Sequence, residues 1–404
     1  MKLNLIKGCR GSKHLIKPKT QYLKNSALAP PDGFPLSGRG YLQRYTFDEE
    51  TISYDAQSIH LPSWASIGPA HKGLNEKTFG ILDNYSNTSV FTHDDKLYTI
   101  FETKCAVEID QDTLLPIKET TFDNFFCNFL NVHGYNDTQT GEYWTFSHMG
   151  MHLVIHQIKD SKVLKDIHLP LRDIYYIHDM IVTDDHIIFP SYPCSIDMIG
   201  SVFGSIVDSI EFKDDECLHF FLYDRHSHTT HRIKFPNIHQ PAFHAKGYSI
   251  AHGKLRIHAF ILQNGFQFKN IETRYDFNSQ CITIDIDTTT MTCVKLTLHS
   301  QIGDMPSFHH DTQTLAYVSM NTLTVLDSQL NSQSRYFEDS ILEEPEMVVD
   351  INGHLRIILL IHVLRLAKGV PSTELHIINT HTLESESIWC LPFETPNGFH
   401  GLLI

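Results

Sequence analysis

The chain of 404 residues is long enough for two average domains or one large β architecture. Its 41% hydrophobic and 20% charged residues are a globular balance that can bury a sizeable core. A formal net charge of −15 argues against nucleic acid as a partner, because phosphates demand a basic face.

Residues 1–37 are punctuated by Lys and Pro and are read as an irregular N-terminal segment, with 38–404 forming one domain. The basic stretch from Met1 to Lys24 lacks an apolar core, so no signal peptide is expected. Nowhere do about twenty apolar residues run together, and no membrane span is expected. Eight cysteines without a CxxC pair suit reduced thiols in a cytoplasm better than a disulfide scaffold or a zinc ribbon.

From Val107 onward a pattern recurs. A short apolar strand ends in Asp or Asn, passes a polar turn with Thr or Ser, and returns as a second strand. It is seen in VEIDQDTLLPIKE, VIHQIKDSKVLKDIHL, FLYDRHSHTTHRIKF, ITIDIDTTTMTCVKL, LTVLDSQLNSQSRYF and LHIINTHTLESESIWC. The turn residues are Asp110, Asp160, Asp224, Asp285, Asp327 and Asn379, in keeping with Asx turn chemistry. Recurrence every 40 to 65 residues or so reads as propeller blades of about four strands each. A pair of β-sandwiches is the alternative; either way the class is all-β.

Residues 194–212 break the pattern. Ile196, Ile199, Phe203, Ile206 and Ile210 fall at helical spacing with few charges. The segment is either a helix packed on the propeller or an apolar patch that contacts a membrane surface.

Histidine is over-represented, at 27 residues. His148, His152 and His156 are four apart, but their stretch reads as strand, where that spacing separates side chains by about 13 Å. His226, His228 and His231 crowd an exposed turn. The better candidate ligands are His133 in NVHGYNDTQTGEYW, His178 in YYIHDMIVTDDHIIF, His244 in PAFHAKGY and His400 in PNGFHGLLI. Apolar or small residues flank each of them. Singly, each is more readily a satisfied core histidine. Together they come from four candidate blades, and inner strands of a propeller converge on its axis.

These motifs carry a family resemblance. GRGYLQRYTFD from Gly38, NTSVFTHDDKLYTIFE from Asn87, VHGYNDTQTGEYW, IHDMIVT and PNGFHG resemble signatures of the carotenoid cleavage oxygenases. That family includes apocarotenoid oxygenases, lignostilbene dioxygenases and the retinal pigment epithelium retinoid isomerase. The resemblance implies a seven-bladed propeller with a cap of loops and short helices over the metal face. It implies one Fe(2+) held by His133, His178, His244 and His400. It also implies three carboxylates that orient the rings: Glu102, Glu344 and, where the family usually has Glu, Asp304. Being one methylene shorter, Asp304 would need a shifted backbone or a water to reach its histidine.

The departures are specific. Gly134 stands where Pro is usual, and His244 is followed by Ala-Lys-Gly-Tyr where the family usually has Asn-Ala-Tyr-Glu after two residues, which leaves His239 and His252 as substitutes. No Arg-Asn-Gly-Pro strand precedes Gly38, so a trimmed first blade is expected. The activity implied is oxidative cleavage of a carbon–carbon double bond by O2, giving two carbonyl products. Phe101, rather than Lys, precedes Glu102, which favours an apolar polyene or apocarotenoid over a phenolic stilbene. A catalytically inactive propeller serving as an interaction platform is the reading outside enzymes. A cytoplasmic chain, in peripheral contact with a membrane through 194–212, completes the expectation.

Overall fold

The computed structural model describes residues 2–5, 15–28, 39–48, 51–60, 84, 86–102, 104–196, 210–263, 279–364, 372–391, 393–396 and 398–404. Its strands form seven sheets arranged as the blades of a β-propeller. The first blade holds β1 (Lys2–Leu5), β2 (Gln21–Ala27), β3 (Gly40–Phe47), β4 (Ile52–Ser58) and, innermost, the C-terminal strand β32 (Gly398–Leu403). The second holds β5 (Ser89–His93), β6 (Lys96–Ile100), β7 (Ala106–Ile109) and β8 (Pro116–Thr120). The third holds β9 (Leu130–Asp137), β10 (Glu142–Met149), β11 (His152–Lys159) and β12 (Lys162–Pro170). The fourth is built from β13 (Tyr175–Tyr176), β14 (Ile181–Val182), β15 (His186–Ile196), β16 (Ile210–Phe212), β17 (Leu218–Asp224) and β18 (Thr230–Phe235). The fifth contains β19 (Ala242–Ala251), β20 (Lys254–Leu262), β21 (Ser279–Asp287) and β22 (Thr292–Ile302). The sixth contains β23 (Asp304–His309), β24 (Thr314–Val318), β25 (Thr322–Leu326) and β26 (Ser332–Tyr336). The seventh contains β27 (Ser340–Leu342), β28 (Glu346–Val349), β29 (Leu355–Val363), β30 (Ser372–Asn379) and β31 (Ser385–Leu391).

Period-two alternation explains why these segments are strands. In β21, Cys281, Ile282, Ile284 and Ile286 are buried, and the outer strand β22 leaves Val294, Leu296 and Leu298 exposed. Apolar faces of successive blades pack together around the whole ring. Phe220, Leu222, Ile257 and Ile284 join blades four and five, and Leu360, Leu375, Tyr45 and Tyr54 join seven and one. Each fully buried Leu, Ile or Phe contributes roughly 1.5–3 kcal/mol. The ring is closed by hydrogen bonds between β32 and β2, so chemically distant ends of the chain share one sheet.

The outer hairpins are the repeats seen in the sequence. Asp110 accepts from the Thr113 amide at 2.8 Å, and Asp224 accepts from the His226 and Ser227 amides, each at 2.8 Å. In blade five the turn carboxylate is Asp287, not Asp285. Asp285 lies inside β21 and is paired with Arg256 at 2.7 Å.

Three expectations are corrected. Residues 21–27, within the segment read as irregular, form β2, and the first blade has five strands rather than a trimmed set. Lys24 disguised this strand: it is fully buried, with Glu343 and Glu344 as counter-charges 3.8 and 3.7 Å away. The helix expected over 194–212 does not form at either end, because Cys194, Ser195 and Ile196 pair with Phe212, Glu211 and Ile210 as antiparallel strands. Residues 197–209, the centre of the apolar patch, lie outside the described residues. Among the described residues the one helical element is a 3-10 turn at Phe126–Phe129, and the expected cap of short helices is not seen among them. No helix among them is long and apolar enough to cross a membrane.

Candidate metal centre

Inner strands meet at the propeller axis, and the chain departs from regular pairing there. The β9–β10 register breaks across residues 131–133, the β19–β20 register breaks between Ala242 and Ala245, and the β2–β32 register breaks beside His400. In blade four the inner edge is interrupted between β13 and β14, where His178 and Asp179 sit. In blade seven the interruption between β27 and β28 carries Glu343 and Glu344. Bulges of this kind re-aim side chains that a regular strand would point along the sheet face.

The outcome is a cluster of His133, His178, His244 and His400, supplied by blades three, four, five and one. Their ligating ring nitrogens all lie within 4.8 Å of one another. The rings are mutually tilted, with centroids 4.6 Å apart for His133–His400 and 5.3 Å for His244–His400. None is more than 9% exposed.

Carboxylates occupy the remote side of these rings. His178 Nδ1 is 3.1 Å from Glu102 Oε1, His244 Nδ1 is 2.7 Å from Asp304 Oδ1, and His400 Nδ1 is 3.1 Å from Glu344 Oε1. Blades two, six and seven supply them, so every blade places a side chain at the centre. Each carboxylate is itself held. Asn131 donates to Glu102 at 3.1 Å, and Ser279 donates to Asp304 Oδ2 at 2.5 Å. Lys24 lies beside Glu344. Asp304 needs no bridging water. The next residue, Met305, adopts φ +56°, and its amide donates to Asp304 Oδ1 at 2.8 Å. That left-handed conformation is uncommon for a non-glycine residue.

Electrostatics at the centre differ from ring to ring. Burial, then the neighbouring rings, holds His133 and His244 well below the usual imidazole range. For His178 burial acts the same way, but the adjacent Glu102 carboxylate outweighs it and raises the ring. Burial pushes Asp304 up to about 7. Burial also opposes charge on Glu344, yet His400 and Lys24 overcome it and bring the carboxyl down to about 2.

The cluster is a donor set that lacks an acceptor. With Nδ1–H donating to a carboxylate, the rings of His178, His244 and His400 each present an Nε2 lone pair to the centre. His133 Nε2 and His178 Nε2 are 3.2 Å apart, and His244 Nε2 is buried without a hydrogen-bond partner. Lone pairs converging in a dry site repel unless a cation lies between them. The residues therefore fit a metal ion, and nitrogen donors suit a divalent transition metal better than magnesium or calcium.

The centre has two faces. On one face lie aromatic residues: Phe243 stacks on His178 at 4.0 Å between centroids, and Tyr176 lies parallel to His178 at 6.3 Å. Cys194, Leu262, Ile210 and Phe212 extend this apolar wall. Residues after the histidines line a cavity of about 300 Å³ along the axis, with Asp179, Lys246, His310 and Glu346 among its walls.

Comparison with known proteins agrees with this geometry. A sequence profile described as "Retinal pigment epithelial membrane protein" matches residues 25–404. The chain belongs to the carotenoid cleavage oxygenase family. Among solved structures, a single-residue variant of Synechocystis apocarotenoid oxygenase is similar with a TM-score of 0.85 at 17% identity, covering 100% of this chain and 96% of that one. An apocarotenoid oxygenase/RPE65 chimera gives 0.85 at 17% identity, with 100% and 95% covered. Cobalt-substituted Synechocystis apocarotenoid oxygenase gives 0.83 at 17%, with 100% and 96% covered. No curated protein matches by sequence.

In this chain the other histidine clusters lie elsewhere. His156 sits between Ser147 and Asp166 at 2.8 and 2.7 Å, and His148 donates to the Gly150 carbonyl at 3.0 Å. His226 bonds to Asp185 on the surface. His239 is exposed and donates to the Glu216 carbonyl, and His252 is exposed in a turn; neither reaches the centre. Sequence reasoning missed Asp179, whose only signal was adjacency to His178. It also missed Lys24, Asn131, Ser279 and Lys246. Lys246 was legible as the residue two beyond His244, hence on the same strand face.

Proposed function

We propose that His133, His178, His244 and His400 hold iron(II), and that the protein uses O2 to cleave one carbon–carbon double bond of an apolar polyene of the carotenoid or apocarotenoid class. The convergence of four buried ring nitrogens, three backed by a carboxylate on the remote nitrogen, carries this reading. Iron bound by four protein nitrogens keeps open positions and supplies oxygen activation when present. The chain's own residues supply aim and exclusion. Glu102, Asp304 and Glu344 fix the ring tautomers and offset the charge of the ion. Phe243, Tyr176, Phe212 and Leu262 form a dry wall against which a hydrocarbon can lie without stranding polar groups. No side chain needs to act as general acid, since neither carbonyl product requires protonation.

The test is reconstitution with iron(II) under anaerobic conditions, then incubation with a panel of apocarotenoids and stilbenes under isotopically labelled O2. Two carbonyl products from one polyene, carrying the label, are expected. Geometric isomers without cleavage would mark an isomerase. Cleavage confined to phenolic stilbenes would move the substrate class. A chain with one iron and no turnover across the panel would point to a binding platform.

A further inference from the structure

Three of the four histidines have Glu102, Asp304 or Glu344 behind them; His133 does not. The carboxylate nearest its remote nitrogen is Asp179, with Oδ1 3.5 Å from His133 Nδ1. Asp179 is 1% exposed. Its Oδ1 accepts from the Met180 amide at 2.7 Å, and its Oδ2 accepts from the Ala245 amide at 2.9 Å. Oδ2 also lies 3.8 Å from Lys246 Nζ. One side chain thus links blades three, four and five at the axis.

Lys246 brings an ammonium group to the same site. It follows His244 by two residues on β19, so it shares the inward face about 7 Å further along the strand. It lines the axial cavity together with His133 and His400. An ammonium in that position faces the site where a divalent cation would sit, and like charges in a partly dry cavity repel.

We infer that Asp179 is the positioning residue for His133, and that its pairing with Lys246 is what allows an ammonium group beside the metal centre. This rests on the reading of the four histidines as metal ligands. Asp179 acts twice. Its anionic oxygen favours the His133 tautomer that carries hydrogen on Nδ1 and leaves Nε2 free for the ion. It also makes Lys246 one half of a neutral pair, so that the field at the ion is close to that of a cavity without the lysine.

Cobalt(II) titration of metal-free protein, followed by visible absorption, tests this without turnover. Asp179→Asn is expected to bind cobalt about 10–100-fold more weakly than wild type, with an altered absorption band. Lys246→Met alone should bind as tightly as wild type or several-fold tighter. The double variant D179N/K246M should recover at least half of the logarithmic loss of D179N. A merely structural Asp179, acting through the Met180 and Ala245 amides, would show no such recovery, and that result would overturn the inference. So would D179N affinity within about twofold of wild type, or weaker binding by K246M, a variant that leaves every hydrogen bond of Asp179 in place. Wild-type protein that takes up no cobalt would instead overturn the reading of the histidines themselves, and the inference with it.

Discussion

His244 and Asp304 make the shortest ring–carboxylate contact of the centre, 2.7 Å, and the opposite nitrogen of the same ring is buried with no partner. The imidazole is thus fixed from behind and left open in front. Replacing Asp304 by Asn exchanges an acceptor for a group that can present its amide hydrogens to Nδ1. Metal affinity should fall by about 10–100-fold while the fold persists. Metal content after dialysis against a graded chelator measures this, and wild-type retention by D304N would contradict it.

Lys24 is fully buried between Glu343 and Glu344. Removing one partner of a buried ionic group leaves the others uncompensated. Lys24→Met should destabilise the metal-free protein by about 3–5 kcal/mol. Denaturant titration reads this directly, and a midpoint equal to wild type would show that the cluster is held by other means.

Gly134 answers a steric demand. A Cβ there would come within 2.1 Å of the Tyr143 hydroxyl and 2.4 Å of its ring, so the tyrosine must move. Tyr143 is stacked on Phe91 at 4.4 Å, which leaves little room to move. Gly134→Ala should cost about 1–3 kcal/mol and displace the adjacent His133. A crystal structure of the variant with an unmoved Tyr143 would exclude this.

Acid should weaken the protein through its structural histidines as well as its centre. Burial brings His258 down to about 3, and it is bonded to Thr283 at 2.9 Å. Below about pH 6.5 the unfolded chain gains a proton at this residue that the folded chain refuses. Its contribution is therefore intact above the unfolded value and is lost as pH falls toward 3. The slope is at most about 1.4 kcal/mol per pH unit. His258→Gln should flatten the stability–pH curve in that window by one proton. Denaturant midpoints across the window decide it.

What could be read from the chain depended on how local the signal was. The outer hairpins were legible because Asp110, Asp224, Asp327 and Asn379 cap their own turns with their own side chains. The four histidines were legible through short motifs rather than through physics, since nothing in periodicity says that positions 133 and 400 share a site. Strand β2 was hidden because burial of Lys24 depends on carboxylates some 320 residues away. The ends of the 194–212 segment misled because apolar residues at helical spacing can equally lie in a strand pair, and Cys194–Ile196 pair with Ile210–Phe212. Asp179 escaped because its contacts are spread over blades three, four and five.

β32 is at once the inner wall of the first blade and the carrier of His400. Sealing the circle and completing the four-histidine cluster are consequently a single event. A polypeptide shortened before Gly398 would forfeit both together, leaving an open arc with only three imidazoles. The four-histidine pocket is thereby finished only when the ring is.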